Sequence, residues 1–379
     1  VFGGEPWFAE PLHVGRPIVR DEARFSKLVQ EMLDRRWLTN DGPLVRELEE
    51  RIAAHVGVRH CVAACNGTVA LEIAIRALGL TGEVIVPSYT FIATAHSLHW
   101  QGLKPVFVDI DPRTHTLDPE AVQRAITPQT SGILGVHLWG RAAPVDELQS
   151  IADEHGLTLL FDAAHAFSST YHQHKIGRFG RAEVFSFHAT KFFHSLEGGA
   201  IVTDDDDLAG TMRLMRNFGF ANEDQVIHPG INGKMTEVCA AMGLANLPHV
   251  DTVREINRQN HATYTRALAD VPGLEVMQYD EAEQNNYQYV VLEVDTRVAP
   301  SRDDLLQALR AENVLARRYF WPGCHKMMPY RELYPDAAST LVQTEAVADR
   351  VIVLPTGDSV SVDDIAVIAD ILATRVAIG

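Results

Sequence analysis

Three short stretches of this chain carry residue types that could do chemistry together. In FSFHATKFFHSLEGG, residues 185–199, one lysine, Lys191, lies between an aromatic-rich run and a turn holding Gly198 and Gly199. Most lysines keep the charge in water and lay the stem on an apolar neighbour. One held close to Phe185, Phe187, Phe192 and Phe193 would lose hydration, lower its pKa and become an amine nucleophile toward carbonyls. Ser186 and His188 alternate with the aromatics, so a strand here would show Ser and His on one side and Phe on the other. In LTLLFDAAHA an apolar run ends at Asp162, with His165 three residues on. A carboxylate there is costly unless a cation meets it, and a helix N-cap or an arginine partner would also account for it. In ACNGTVALEIAIRALG a strand stops at Asn66-Gly67-Thr68 and a helix begins at once. Unpaired N–H groups and the positive end of a helix dipole then coincide, which suits a phosphate, although such junctions also form without any ligand.

A phosphate anchor, a partner for a protonated pyridine nitrogen and a Schiff-base lysine are the three fixtures of a pyridoxal phosphate site. The elements that must hold them are those of a parallel α/β sheet. From about residue 45 to about 250, helix-period segments such as LVRELEERIAAHVG alternate with short apolar runs such as HCVAAC, EVIVPSYTF, PVFVDID and SGILGVHLWG. Ligands of such sheets gather where the strands end. After residue 250 a long polar helix, VDTVREINRQNHATYTRALADV, leads to the strand YQYVVLEVD and the helices SRDDLLQALRAENV and VDDIAVIADILATRV. The expected division is an N-terminal segment and large cofactor-binding α/β domain over residues 1–250, and a smaller α+β domain over 251–379. Neither a Walker phosphate loop nor a G-x-G-x-x-G fingerprint is present.

Composition narrows the partners. With 46% hydrophobic and 22% charged residues in 379, the chain reads as globular. The net charge of −17, with no basic cluster to offset it, argues against nucleic acid. It leaves room for an anionic small molecule, which backbone N–H groups and a few basic side chains can hold. Four scattered cysteines do not make a disulfide framework, and Cys61 and Cys65 lack the second pair a zinc site needs. The opening VFGGEPWFAEPLHVGRP lacks the basic start and apolar block of a signal peptide, and no run is long enough to span a membrane. A reducing, cytoplasmic setting is the expectation.

Over nearly its whole length the chain resembles the DegT/DnrJ/EryC1/StrS family of nucleotide-sugar aminotransferases. The resemblance rests on WLTNDGPLVRELEERIA, CNGTVALEIAIRALGL, VIVPSYTFIATA, PVFVDIDPRTHTLDP, FDAAHA, FSFHATKFFHSLEGGAIVTDD, NFGF and GINGKMTEVCAAMGLANL, in family order. It implies the aspartate aminotransferase fold (fold type I), a homodimer, and pyridoxal 5′-phosphate cycling with pyridoxamine 5′-phosphate. Residue by residue it implies that Lys191 is the Schiff-base lysine, Asp162 the partner of the pyridine nitrogen and His165 the neighbour of the phenolic oxygen. Gly67, Thr68 and Ser186 match the phosphate contacts, Phe91 the aromatic stacked on the ring, and Asn232 an asparagine that reaches the phosphate of the other subunit. Gly233 stands where many relatives carry an aromatic or larger residue, which implies a differently shaped loop. The blocks WLTNDGPLVRE, GVHLWGR, FSFHATK and YFWPGCH look like those of the antibiotic-sugar enzymes that form dTDP-4-amino-4,6-dideoxyglucose. That likeness implies L-glutamate as donor and dTDP-4-keto-6-deoxyglucose as acceptor. Thr39, Asn40, Phe320 and His325 are then expected at the sugar, with Arg16 and Lys234 available to the diphosphate. Other readings are a C-3 aminotransferase or a dehydratase of the same fold, or a regulator that binds cofactor or sugar without turnover. Dehydratase branches replace the lysine by histidine, so Lys191 favours transamination.

Three features read as structural. His172 and His174 in YHQHK lack further metal ligands and suit a hairpin; Asp204–Asp207 suit a solvated turn; Met235 and Met242 suit one face of a buried helix.

Overall fold

The computed structural model describes residues 4–378. Its main sheet has the strands β1 (His60–Ala64), β2 (Glu83–Pro87), β3 (Lys104–Val108), β4 (Thr130–Val136), β5 (Thr158–Asp162), β6 (Glu183–Ser186) and β7 (Gly199–Thr203). They lie in the order β1-β7-β6-β5-β4-β2-β3, with β7 antiparallel to both neighbours and the other pairs parallel. The helices that frame it are α1 (Glu22–Arg35), α2 (Pro43–Val56), α3 (Gly67–Ala77), α4 (Ile92–Trp100), α5 (Pro119–Ala125), α6 (Val145–His155), α7 (Asp206–Arg216) and α8 (Glu237–Asn246). Alternation along β1 explains the layers: Cys61 and Ala63 join the core of α1, α2 and α8, whereas Val62 and Ala64 join that of α3, α4 and α7. A sheet buried on both faces needs near-continuous apolar strands, which is what these segments supply.

The helix α9 (Val250–Leu268) carries the chain onward: Val250 and Val253 pack in the first core, Tyr264 and Leu268 in a further one. That further core is built by the antiparallel strands β8 (Leu274–Val276), β9 (Val290–Val294) and β10 (Val351–Leu354), with α10 (Arg302–Ala311) and α11 (Val362–Ile378) against them. The N-terminal segment belongs to it too, since Phe8 sits in this core and Leu12–His13 pairs with Val314–Leu315.

Two local expectations shift. The strand in YQYVVLEVD starts only at Val290, because Tyr287 takes a φ of 51° and the preceding residues bond to loops of the main sheet. Met235 precedes α8, whose N-cap is Thr236, although Met235 and Met242 are both buried. The YHQHK segment does form a hairpin, pairing Thr170 with Lys175 and Tyr171 with His174. In the acidic run, Asp205 caps α7 by accepting from the Leu208 N–H, while Arg59 pairs with Asp206.

The start of α2 is held from a distance. Its N-cap, Gly42, offers no side chain, and the buried Glu237 carboxylate accepts from the Leu44 and Val45 N–H groups at 3.0 and 2.8 Å. A Cβ on Gly42 would fall 2.4 Å from Glu237 Cδ, so glycine is required by close approach. Glu237→Gln leaves one N–H facing a donor, and the expected loss is about 1–3 kcal/mol of unfolding free energy, read from urea denaturation.

Candidate active site

A cleft of about 690 Å³ opens at the C-terminal ends of the parallel strands. Gly67, Thr68, Phe91, Asp162, His165, Ser186, Lys191 and Phe320 line it together. The strand ends are the reason: Asp162 closes β5, Ser186 closes the neighbouring β6, and Asn66-Gly67-Thr68 follows β1.

Asn66 caps α3 by accepting from the Val69 N–H at 2.8 Å, which leaves the Gly67 and Thr68 N–H groups without an acceptor inside the helix. Beside them stands Ser186. A Cβ on Gly67 would lie 2.9 Å from Ser186 Cβ, and one on Gly199 would lie 2.7 Å from the Gly67 nitrogen. Two glycines thus let β6, β7 and the start of α3 meet closely enough to make one anion cradle.

Asp162 is 6% exposed. Thr94 Oγ1 donates to its Oδ2 at 2.8 Å and the Ala164 N–H to Oδ1 at 3.1 Å. Burial pushes its carboxyl pKa above the usual range, against those two hydrogen bonds and the charge of Lys191. Lys191 sits in a turn, its N–H bonded to the His188 carbonyl, between the buried Phe187 and the buried Phe192 and Phe193. Burial lowers its pKa to about 8, the Asp162 carboxylate pulling the other way. Since the neutral amine is the reacting form, cofactor uptake by the cofactor-free protein is expected to quicken as pH rises toward 8 and to level off above. Stopped-flow absorption across pH 6–10 checks this.

His165 is buried, its Nε2 3.1 Å from the Tyr289 hydroxyl and its Nδ1 without a partner among the described residues. Burial, then Lys191, drive its pKa well below the ordinary value, so the ring is neutral. Phe91 is 56% exposed at the rim and meets Phe320 edge-on at 6.4 Å. A cradle of free N–H groups with a hydroxyl, a buried carboxylate, an amine of lowered pKa and an orphaned imidazole nitrogen form the donor set that fits pyridoxal 5′-phosphate.

The remaining expected residues lie elsewhere. His325 is corrected: its side chain is buried between Ser88 Oγ, 2.7 Å from Nδ1, and Glu345, 3.3 Å from Nε2, and does not line the cleft. It braces the segment after the cleft instead. Thr39, Asn40, Arg16, Asn232 and Lys234 are also outside the lining, with Asn40, Arg16 and Asn232 exposed and Lys234 bonded to Asn217 at 3.1 Å. Gly233 is buried, and a Cβ there would come within 3.0 Å of Val69 and Ile73, which packs the loop onto α3.

A profile of the DegT/DnrJ/EryC1/StrS aminotransferase family matches residues 19–373. The chain belongs to this family. It is a pyridoxal 5′-phosphate-dependent nucleotide-sugar aminotransferase of fold type I. The aminotransferase is 36% identical over 345 residues to dTDP-4-amino-4,6-dideoxy-D-glucose transaminase of Escherichia coli, covering 90% of this chain and 92% of that one. It is 37% identical over 314 residues to GDP-perosamine synthase of Caulobacter vibrioides, covering 81% and 84%. Among solved structures it resembles DesI with its TDP-sugar product, with a TM-score of 0.94 and 51% identity over 98% of this chain and 95% of that one.

Sequence reading missed several residues of the aminotransferase's cleft. Tyr289, Arg317, Tyr319, His137 and Glu197 all line it, and Thr94 holds Asp162 from α4. Arg317 and Arg318 are adjacent, yet differ. Arg318 pairs with Asp303 at 3.0 Å, whereas the exposed Arg317 lies over the Tyr319 ring at 5.1 Å, with no carboxylate partner among the described residues. The tract RRYFWPGC offered two equal arginines, and only the fold separates them.

Proposed function

We propose that this aminotransferase moves the amino group of L-glutamate to C-4 of dTDP-4-keto-6-deoxyglucose, giving dTDP-4-amino-4,6-dideoxyglucose. The observation that carries the chemistry is the meeting of Lys191, Asp162, Ser186 and the start of α3 in one cleft. The choice of C-4 is supported by the likeness to the E. coli dTDP-4-amino-4,6-dideoxy-D-glucose transaminase, and a TDP-linked sugar by the likeness to DesI with its TDP-sugar product. When bound, the cofactor supplies an electron sink for the carbanion left when the donor's Cα loses its proton.

The chain's own residues do the rest. Gly67, Thr68 and Ser186 hold the phosphate and fix the cofactor's register. Asp162 keeps the pyridine nitrogen protonated, and Thr94 holds the carboxylate in place. His165 meets the phenolic oxygen and Phe91 covers the ring face. Lys191 would anchor the cofactor and, once its amine is free, would take the proton from Cα of the donor and deliver a proton to the aminated sugar carbon. Arg317, Tyr319 and Phe320 belong to the outer wall, where Arg317 is the unpaired cation available to substrate anions. Thr39 and Asn40 are assigned to the sugar side.

The same reading makes the working form a homodimer in the cytoplasm. Asn232 lies in a stretch where Phe218, Phe220, Ile227 and Ile231 are all 38–49% exposed, a patch suited to cover by a second copy. With that copy in place, Asn232 would serve the neighbouring phosphate. Four free cysteines support a reducing compartment, and no helix among the described residues is long and apolar enough to cross a membrane. The division near residue 250 into a large and a smaller domain is retained, with the segment around Phe8 and Leu12–His13 packing on the smaller one.

The deciding experiment incubates the enzyme with glutamate and dTDP-4-keto-6-deoxyglucose and assigns the product by NMR. A 4-amino product supports the reading. A 3-amino product, or none while glutamate is consumed by the cofactor form, overturns the assigned position or acceptor and leaves the aminotransferase intact.

A further inference from the structure

The segment before β9 does more than connect. The Asn286 side chain donates to the His165 carbonyl at 2.8 Å, and the Gln288 side chain to the Thr190 carbonyl at 2.9 Å. Gln284 accepts from the Thr170 N–H at 2.9 Å through its carbonyl and donates its own N–H to Thr170 Oγ1 at 2.7 Å. Residues 284–288 therefore strap the two loops that carry His165 and Lys191, and Tyr289 follows at the end of that strap. Its hydroxyl is 3.1 Å from His165 Nε2, while Nδ1 of the same buried ring has no partner among the described residues.

A neutral imidazole has one N–H and one lone pair, so the bond at one nitrogen decides the state of the other. Between a phenol and a neutral imidazole, the phenol is the better donor and the imidazole nitrogen the better acceptor. Tyr289 O–H then donates to Nε2, and the proton resides on Nδ1. An N–H buried without an acceptor is unfavourable. A ligand oxygen that accepts from it removes that cost.

We propose that Tyr289 is a positioning residue that holds His165 in the Nδ1–H tautomer, presenting one donor to the anionic phenolic oxygen of the bound cofactor. The inference rests on the placement of His165 proposed above. Trp139, stacked 6.0 Å from His165, and Phe320, stacked at 5.9 Å, keep the ring from turning over. Lys191 is the charged group that acts on the same ring.

The test follows the pH midpoint of the holoenzyme's visible cofactor band in wild type, Tyr289→Phe, His165→Ala, His165→Asn and the double variant that combines His165→Asn with Tyr289→Phe. A donor to an anionic oxygen lowers that midpoint, so its loss raises it. His165→Ala is expected to raise it by about one pH unit, and Tyr289→Phe by up to that amount. His165→Asn, whose amide N–H replaces Nδ1–H without any tautomer, is expected near wild type, and adding Tyr289→Phe to it should change nothing further. A midpoint unmoved in His165→Ala removes His165 from the phenolic oxygen, which is a failure of the underlying reading. A shift from Tyr289→Phe that is equally large in the wild-type and His165→Asn backgrounds overturns tautomer control, as does no shift with His165 present. So does failure of Tyr289→Phe to retain cofactor when His165→Ala retains it.

Discussion

Lys191→Ala is expected to lose turnover on the order of 10⁴-fold or more while the protein remains folded, because one side chain supplies both the anchor and the proton relay. General acid–base catalysis alone contributes about 10²–10⁴-fold, and the covalent route adds to it. Folding should survive, since the ammonium is held in a site that lowers its pKa to about 8, and removing a poorly solvated charge relieves the fold. The seat proposed for the cofactor phosphate, at Ser186 and the start of α3, is left untouched by the substitution. Three readouts separate chemistry from structure. Borohydride treatment should fix cofactor mass to the wild type and not to the variant. Thermal denaturation of the cofactor-free forms should place the variant level with wild type or above it. A small primary amine added to the variant should restore part of the rate, since it supplies the missing base. A variant within tenfold of wild-type turnover would remove Lys191 from the reaction.

How much of this was open to a sequence reader depends on how local the cause is. The strand ends at Asp162 and Ser186 and the start of α3 at Gly67 follow from short apolar runs broken by small or polar residues, which local patterning reports directly. The aromatic setting of Lys191 was visible in the same way, and the structure buries Phe185, Phe187, Phe192 and Phe193 as that pattern implies. Tyr289 and Thr94 were not visible. Tyr289 reaches His165 across 124 positions and Thr94 reaches Asp162 across 68, and no periodicity encodes such a meeting. His325 failed for a related reason. Its neighbours Phe320 and Tyr319 do line the cleft, but the turn through Gly323, at φ 90°, carries His325 inward to Ser88. Adjacency in sequence was mistaken for adjacency in space. Residues 287–289, the start of YQYVVLEVD, read as strand because their composition is strand-like, whereas Tyr287 turns at a φ of 51° and Gln288 spends its amide on the Thr190 carbonyl instead of a ladder.

Asp162→Asn should separate catalysis from stability in opposite directions. The carboxylate at the end of β5 is buried, accepts from Thr94 and Ala164, and has its pKa raised by desolvation above the ordinary carboxylate value. For the cofactor-free protein the sign follows from proton binding. In the pH window between the ordinary and the raised value, the folded state holds the proton that the unfolded chain has released. Stability therefore falls as pH rises through that window, and Asn, which cannot ionise, removes this slope. The cofactor-free variant should match wild type at low pH and exceed it at neutral pH, unless the donors of Thr94 and Ala164 meet the amide nitrogen. In the proposed mechanism the same charge would act on a protonated ring nitrogen, and its value would be greatest when the ring has accepted electrons. An interaction that strengthens toward the transition state is lost from kcat more than from KM. The expected loss is on the order of 10³-fold in kcat, the size of a removed electrostatic partner in a buried site, with KM changed by a few-fold at most. Steady-state kinetics with glutamate varied, beside urea denaturation of the cofactor-free forms at several pH values, measures both. Equal loss in kcat and in stability would make Asp162 a structural carboxylate, and the cleft would then lack the group that makes the cofactor's ring an electron sink.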